Sequence, residues 1–189
     1  MKVILASASP RRKELLSQLV QEFKIIPADI NEDRKDQEDP EKYVQRLSLE
    51  KAAAVATKNP DALVLGADTT VVFGDRVLNK PKDKAQAREF LQLLSGNTHR
   101  VCSAYTLICQ AKDISITRIS ITKVEFINIL ESDLEEYLAS DEPYDKAGAY
   151  AIQGEAAKFV QSIDGSYNSV VGLDTKMLEA DLQTCLKKI

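Results

Sequence analysis

The chain predicts a mixed α/β fold, with parallel strand–helix units near its start and hairpins later. Three observations predict it. Short apolar runs alternate with helical periodicity from Val3 to Phe73. Gly74-Asp75 and Asp164-Gly165 each sit between apolar runs, as two-residue hairpin turns do. Two long strand-like runs follow, around residues 100–109 and 115–127.

The elements follow in order. Val3-Ile4-Leu5-Ala6 reads as a strand, and Ser7-Ala8-Ser9 as a tight loop. Ser9 is a good N-cap and Pro10 suits the first helical position. This first helix is expected to reach about Gln21, burying Leu15, Leu16 and Leu19. Residues 23–27 read as a second strand and 29–39 as an acidic loop. Asp39-Pro40 opens a helix with Tyr43, Val44, Leu47 and Val55 on one face, ended by Asn59-Pro60-Asp61. Residues 62–73 form a long apolar strand, and 76–79 return from the Gly74-Asp75 turn. Asp83 caps a third helix that Gly96 stops. In the run 115–127, Ile119/Ile121 and Val124/Phe126 alternate at period two, with a break between the pairs. Ser132-x-x-Glu135 reads as a capping box for a short helix ending near Ser140. Residues 158–163 and 166–171 read as a hairpin around Asp164-Gly165. Asp174 opens a closing helix to Lys187. One domain spanning 1–189 is expected, with two lobes around a central cleft as its shape.

Composition excludes several function classes. The chain has 189 residues, 25 Lys and Arg against 29 Asp and Glu, and a net charge of −4. That argues against nucleic acid as a partner, since duplex binding wants a basic face. No apolar run approaches the roughly 20 residues of a membrane span, and the start lacks the apolar region of a signal peptide. Three cysteines without a C-x-x-C spacing suit buried thiols in a reducing, cytoplasmic setting and no zinc site. His99 is the single histidine, which excludes a histidine-rich metal cluster. Neither G-x-x-x-x-G-K-[ST] nor G-x-G-x-x-G occurs.

Five features carry chemistry. Arg11, Arg12 and Lys13 fill the first turn of the first helix, where the helix dipole disfavours cations. Beside the hydroxyls of Ser7 and Ser9 they fit a bound polyanion; the competing reading is three solvated side chains. Asp68 lies within the apolar run Leu63–Phe73, where a carboxylate is costly unless paired or bound to metal. Gly66 and Ala67 leave room beside it for a ligand, and desolvation would make it a better base. Hairpin register places Thr69 opposite Lys80, so strict alternation sends Asp68 and Lys80 to opposite faces. Both meet one substrate only if the ladder bulges or ends early; otherwise Lys80 is an edge-strand lysine. Lys51 lies on the apolar stripe of its helix and either snorkels to the surface or reaches into a cleft. Tyr150 and Gln153, between Gly148 and Gly154, either form a turn or stack and read a base.

Together these segments resemble the Maf family of nucleotide pyrophosphatases. The matching stretches are Leu5–Leu16, Gly66-Ala-Asp-Thr69, Lys80-Pro81, Leu94-Ser-Gly96, Asp145–Gly154, Gly165-Ser-Tyr167 and Val171-Gly-Leu173. The resemblance implies an elongated central sheet flanked by helices, similar to the inosine-triphosphate pyrophosphatases. It implies hydrolysis of dTTP and UTP to the monophosphate and pyrophosphate, with Mg²⁺ or Mn²⁺ and a homodimer. Asp68 matches the proton acceptor. Arg11, Thr69 and Gln153 match positions associated with substrate choice. On this reading Ser7, Arg11 and Arg12 hold the triphosphate, and Lys51 and Lys80 add charge as pyrophosphate leaves. Asp68 orients or deprotonates the water, or binds the metal. Glu32 is the candidate second metal ligand, against a solvated loop acid. The rival readings are a pyrophosphatase for 7-methyl-GTP or another modified nucleotide, and a non-catalytic nucleotide-binding regulator of division. The chain departs from many members at Asp174, where they carry proline; Asp is itself a good cap, so little consequence is expected.

Overall fold

The long strand Leu63–Phe73 organises the molecule, in a computed structural model that describes residues 2–187. The strands are β1 (Val3–Leu5), β2 (Phe23–Ile25), β3 (Leu63–Phe73), β4 (Arg76–Leu78), β5 (Thr98–Cys109), β6 (Ile114–Phe126) and β7 (Val160–Asp164). The helices are α1 (Pro10–Ser17), α2 (Pro40–Ala56), α3 (Lys84–Leu94), α4 (Glu131–Leu138), α5 (Tyr167–Val171) and α6 (Thr175–Lys187). The strands form one sheet in the order β2-β1-β3-β5-β6-β7, with β4 also on β3. Pairing is parallel among β1, β2 and β3 and antiparallel elsewhere, as the alternation of elements predicts.

The two faces of the sheet are covered unequally. Val64 and Val72 pack on one face against α2, through Ala52 and Val55 and through Val44 and Leu47. Leu63, Leu65, Ala67 and Val71 belong to the large core on the other face, with side chains from α1, α3, α4, α5 and α6. Period-two alternation therefore sends neighbouring β3 residues into different cores.

Several local expectations change. Helix α1 stops at Ser17, where the N–H of Leu19 bonds the carbonyl of Leu16 and tightens the last turn. Helix α4 begins at Glu131 behind Leu130, so Ser132 falls inside it and forms no capping box. Strand β6 runs without a break: Ile119 packs toward the α2 side, while Val124 and Phe126 join the large core. The pairs differ in phase because they face opposite layers. The hairpin at Asp164-Gly165 does not form. Strand β7 pairs with β6, and the chain then enters α5, capped by Ser166 Oγ accepting from the Ser169 N–H at 3.2 Å. Ser166 N–H in turn donates to Thr122 Oγ1 at 3.0 Å, which anchors the helix start to the sheet. Asp174 caps α6 as expected, accepting from Met177 N–H at 3.1 Å, and also accepts from Ser120 Oγ at 2.8 Å.

Candidate active site

A gap in the sheet makes the site. Strands β1 and β4 share one edge of β3, because β5 occupies the other. The β1 register ends at Leu65 and the β4 register begins at Val71, leaving residues 66–70 without a strand partner on that edge. A cleft of about 740 Å³ lies there. Ser7, Arg11, Arg12, Glu32, Lys51, Asp68, Thr69 and Lys80 all line it. The expected register holds as far as Phe73 opposite Arg76, but the ladder stops at Val71 opposite Leu78. Thr69 and Lys80 are therefore not ladder partners, and side chains from both faces of β3 reach one cavity.

On the α2 side, Lys51 Nζ lies 2.8 Å from Asp68 Oδ1 and 2.8 Å from Glu32 Oε2. Of the two readings for Lys51, the inward one holds: the residue is buried at 7% exposure. Gly66 explains how α2 brings it so close. A Cβ at Gly66 would stand 2.3 Å from the Ser48 carbonyl oxygen and 2.5 Å from Ala52 N. The room left by Gly66 is thus taken by the backbone of α2, and not by a ligand. Burial pushes the Asp68 carboxyl above its ordinary range, while the charges of Lys51 and Arg12 oppose that rise. The Glu32 loop is tied down by Tyr43, whose hydroxyl donates to the Glu32 carbonyl at 2.8 Å, and by Arg46, which bonds the Asp33 carbonyl and the Glu38 carboxylate. The Glu38 carboxyl is held down to about 2, chiefly by the Arg46 hydrogen bond.

On the opposite face, Arg12 is held by neutral groups. Its Nε donates to the Gly172 carbonyl at 3.1 Å, Nη1 to Ser7 Oγ at 3.2 Å and Nη2 to Thr69 Oγ1 at 3.3 Å. A guanidinium has five N–H donors, so two are left without a partner among the described residues and can serve a ligand. Burial lowers the Arg12 pKa, but an arginine stays charged at neutral pH. The Thr69 hydroxyl accepts from Arg12 and donates to Gly172 O at 3.3 Å. Its 2.9 Å contact with Ser103 Oγ must then have Ser103 as donor, which uses the full capacity of Thr69. Ser7 also accepts from Ser9 N–H at 3.2 Å, and Ser9 caps α1 through Arg12 N–H at 3.5 Å.

The remaining candidates divide. Arg11 is half-buried and Lys80 exposed, and both line the cleft; Lys13 is exposed and lies outside its lining. Tyr150 lines the cleft but is buried, with its hydroxyl 2.8 Å from His99 Nε2 and its ring edge-on to His99 and Phe126. Ile152 lines the cleft, whereas Gln153 is exposed and outside the lining. Sequence reading missed Ser103, the Gly172 carbonyl and the Asp145–Lys146 ion pair at the cleft. Only Asp145 and Lys146 carried a usable signal, as charged residues just ahead of the segment bracketed by Gly148 and Gly154.

A divalent cation suits part of this site. Among the described residues no three His, Cys, Asp or Glu side chains gather as a metal cage. Glu32 and Asp68 give hard carboxylate donors, the kind Mg²⁺ and Mn²⁺ prefer. Each spends one oxygen on Lys51. Such a pair fits an ion that brings other oxygen ligands with it, as a phosphate-bound cation does.

Residues 2–185 match the family described as Maf-like protein. The chain belongs to the Maf family. Among its relatives, a dTTP/UTP pyrophosphatase of Bacillus anthracis is 48% identical over 182 residues, covering 96% of this chain and 94% of the relative. A dTTP/UTP pyrophosphatase of Bacillus cereus is 47% identical over the same shares. The fold is that of Ham1 proteins. The Staphylococcus aureus Ham1 protein superposes with TM-score 0.58 at 12% identity, and a Coxiella burnetii HAM1 protein with 0.55 at 16%. Each alignment covers 97% of this chain and 99% of the other. No described helix is long and apolar enough to cross a membrane.

Proposed function

We propose that this Maf protein hydrolyses dTTP and UTP to the nucleoside monophosphate and pyrophosphate. The carrying observation is the cleft's division of labour: a guanidinium with two free N–H groups faces the same space as a desolvated carboxylate. The Bacillus relatives, named for this activity, support the choice of substrate.

Arg12 grips phosphate oxygens with its remaining donors, a bidentate geometry that guanidinium suits. Arg11 and Lys80 add positive charge at the rim. Asp68 orients the attacking water and takes its proton as the water oxygen bonds to phosphorus and the bridging P–O bond to pyrophosphate breaks. Before the triphosphate enters, Lys51 favours the ionised form of that carboxylate through its 2.8 Å contact. Transfer of this kind is mainly positioning and charge stabilisation. Asp68 and Glu32 would hold Mg²⁺ or Mn²⁺, which when bound neutralises phosphate charge and acidifies water. Base reading is assigned to Gln153 on the family resemblance. The homodimer, the cytoplasmic setting and the single domain around the cleft rest on the same resemblance and on the composition.

Pyrophosphate release across a panel of dTTP, UTP, 7-methyl-GTP and dITP tests the reading. dTTP and UTP should be preferred, and Asp68→Asn should abolish turnover while keeping nucleotide binding. Binding without release by the wild-type protein would point to the regulator instead.

A further inference from the structure

The placement of Lys51 has a consequence for the order in which ligands enter. Its ammonium stands between Glu32 and Asp68, 2.8 Å from one oxygen of each. A divalent cation bridging the same two carboxylates would need that space. Two cations there repel strongly, because the Lys51–Asp68 end of the site is largely stripped of water, each residue being 7% exposed, while Glu32 closes it from the solvent side. Burial of Val44, Leu47, Ala52 and Val55 against the sheet, with the 2.9 Å hydrogen bond between Ser48 Oγ and Thr106 Oγ1, keeps α2 from carrying Lys51 outward. Lys51 can leave only by turning its flexible stem toward another anion in the cleft.

A triphosphate provides that anion. We infer that Lys51 is a built-in counter-cation that holds the Glu32–Asp68 pair and yields it to a divalent metal only when triphosphate oxygens take over its ammonium. The inference rests on the triphosphate reading above and adds an order to it. Metal alone is disfavoured, and metal and triphosphate bind with positive coupling. Such coupling is reciprocal and commonly amounts to about 5–150-fold. The arrangement also spares Asp68 an unpaired charge whenever no ligand is present, which is the costly state for a buried carboxylate.

Mn²⁺ binding in the absence of nucleotide, followed by electron paramagnetic resonance and calorimetry, reads this directly. Lys51→Met should bind Mn²⁺ about 10-fold or more tightly than wild type, within the usual range of site coupling. Adding Asp68→Asn to that variant should remove the gain, which assigns the ion to this pair. An α,β-imido analogue of dUTP should raise Mn²⁺ affinity more in wild type than in Lys51→Met. Circular dichroism checks folding, and Lys51→Gln, which keeps a neutral amide donor group without the charge, replaces Lys51→Met if that variant does not fold. Equal Mn²⁺ affinity in wild type and the folded variant overturns the inference, as does a gain that survives Asp68→Asn. Pyrophosphate release from the same wild-type preparation is read separately. A protein that hydrolyses but shows no Mn²⁺ difference fails only this inference. One that shows the difference but does not hydrolyse fails only the functional reading.

Discussion

Asp68 and Thr69 are neighbours in β3, yet they serve opposite walls of one cleft, and the walls treat charge differently. On the α2 wall, one ammonium answers two carboxylates, so every charge has a partner and one negative charge is left in excess. On the other wall, Arg12 is fixed by two hydroxyls and a carbonyl, none of which cancels its charge. One wall holds its reactive carboxylate ready; the other leaves a positive charge for the ligand to satisfy. A polyanion is drawn to the second wall and meets the first. The contrast shows that a charged residue's partners matter as much as its position.

The comparison can be broken most severely at the neutral-held cation. Arg12→Ala should lower kcat/KM about 100- to 1000-fold for every triphosphate alike, the size seen for lost charge-stabilising donors. Arg12→Lys should recover only part, since an ammonium cannot keep the three fixed contacts and a bidentate grip. A change confined to one base in steady-state kinetics would reassign Arg12 to base reading.

The paired wall can be pried open without touching a charge. Gly66→Ala puts a Cβ against the Ser48 carbonyl and Ala52 N, both backbone, so α2 must shift. A loss of about 3 kcal/mol in urea unfolding is expected, at the upper end of ordinary overpacking. Activity should fall with it as Lys51 moves off Asp68.

Acid sharpens the neutral wall. His99, behind Tyr150, is buried with Nδ1 unpartnered among the described residues, and burial pushes its pKa from 6.5 down to about 4. As pH falls through 6.5 the unfolded chain takes up a proton that the folded chain refuses until about pH 4. Stability is therefore lost across that window as pH drops, by about 2 to 3 kcal/mol for this one group. His99→Phe should show a shallower loss of urea stability from pH 6.5 to about 4, and equal losses would clear His99 of any part in it.

The smallest effect is expected behind Thr69. Ser103→Ala removes the donor to Thr69 Oγ1 and should cost about 1 kcal/mol in unfolding. kcat/KM for dTTP should fall by less than it does in Arg12→Ala. A loss as large as that of Arg12→Ala would mean that Ser103, too, meets the ligand.

Much of the fold is legible from residues in order. Apolar periodicity, the Ser9-Pro10 and Asp39-Pro40 caps and the Gly74-Asp75 turn place the first four strands and first two helices to within a few residues. The later hairpin fails because Asp-Gly is a local signal. Ser166 prefers to cap α5 once Thr122 of a distant strand engages its N–H. The capping box at Ser132 fails because the helix already starts at Glu131, behind an extended Leu130, which puts Ser132 inside the first turn.

By itself the sequence determined the elements, the cationic turn at Arg11 and Arg12, and the oddity of a carboxylate at position 68. These are local matters of propensity, spacing and the cost of charge in an apolar run. Only the tertiary structure decided what each charge meets. The gap between β1 and β4 lets both faces of β3 share one cleft, Gly66 admits α2 closely enough for Lys51 to reach Asp68, and the Gly172 carbonyl arrives from 160 residues away to hold Arg12. Contacts of such separation depend on how layers pack, and no local pattern of residues encodes them.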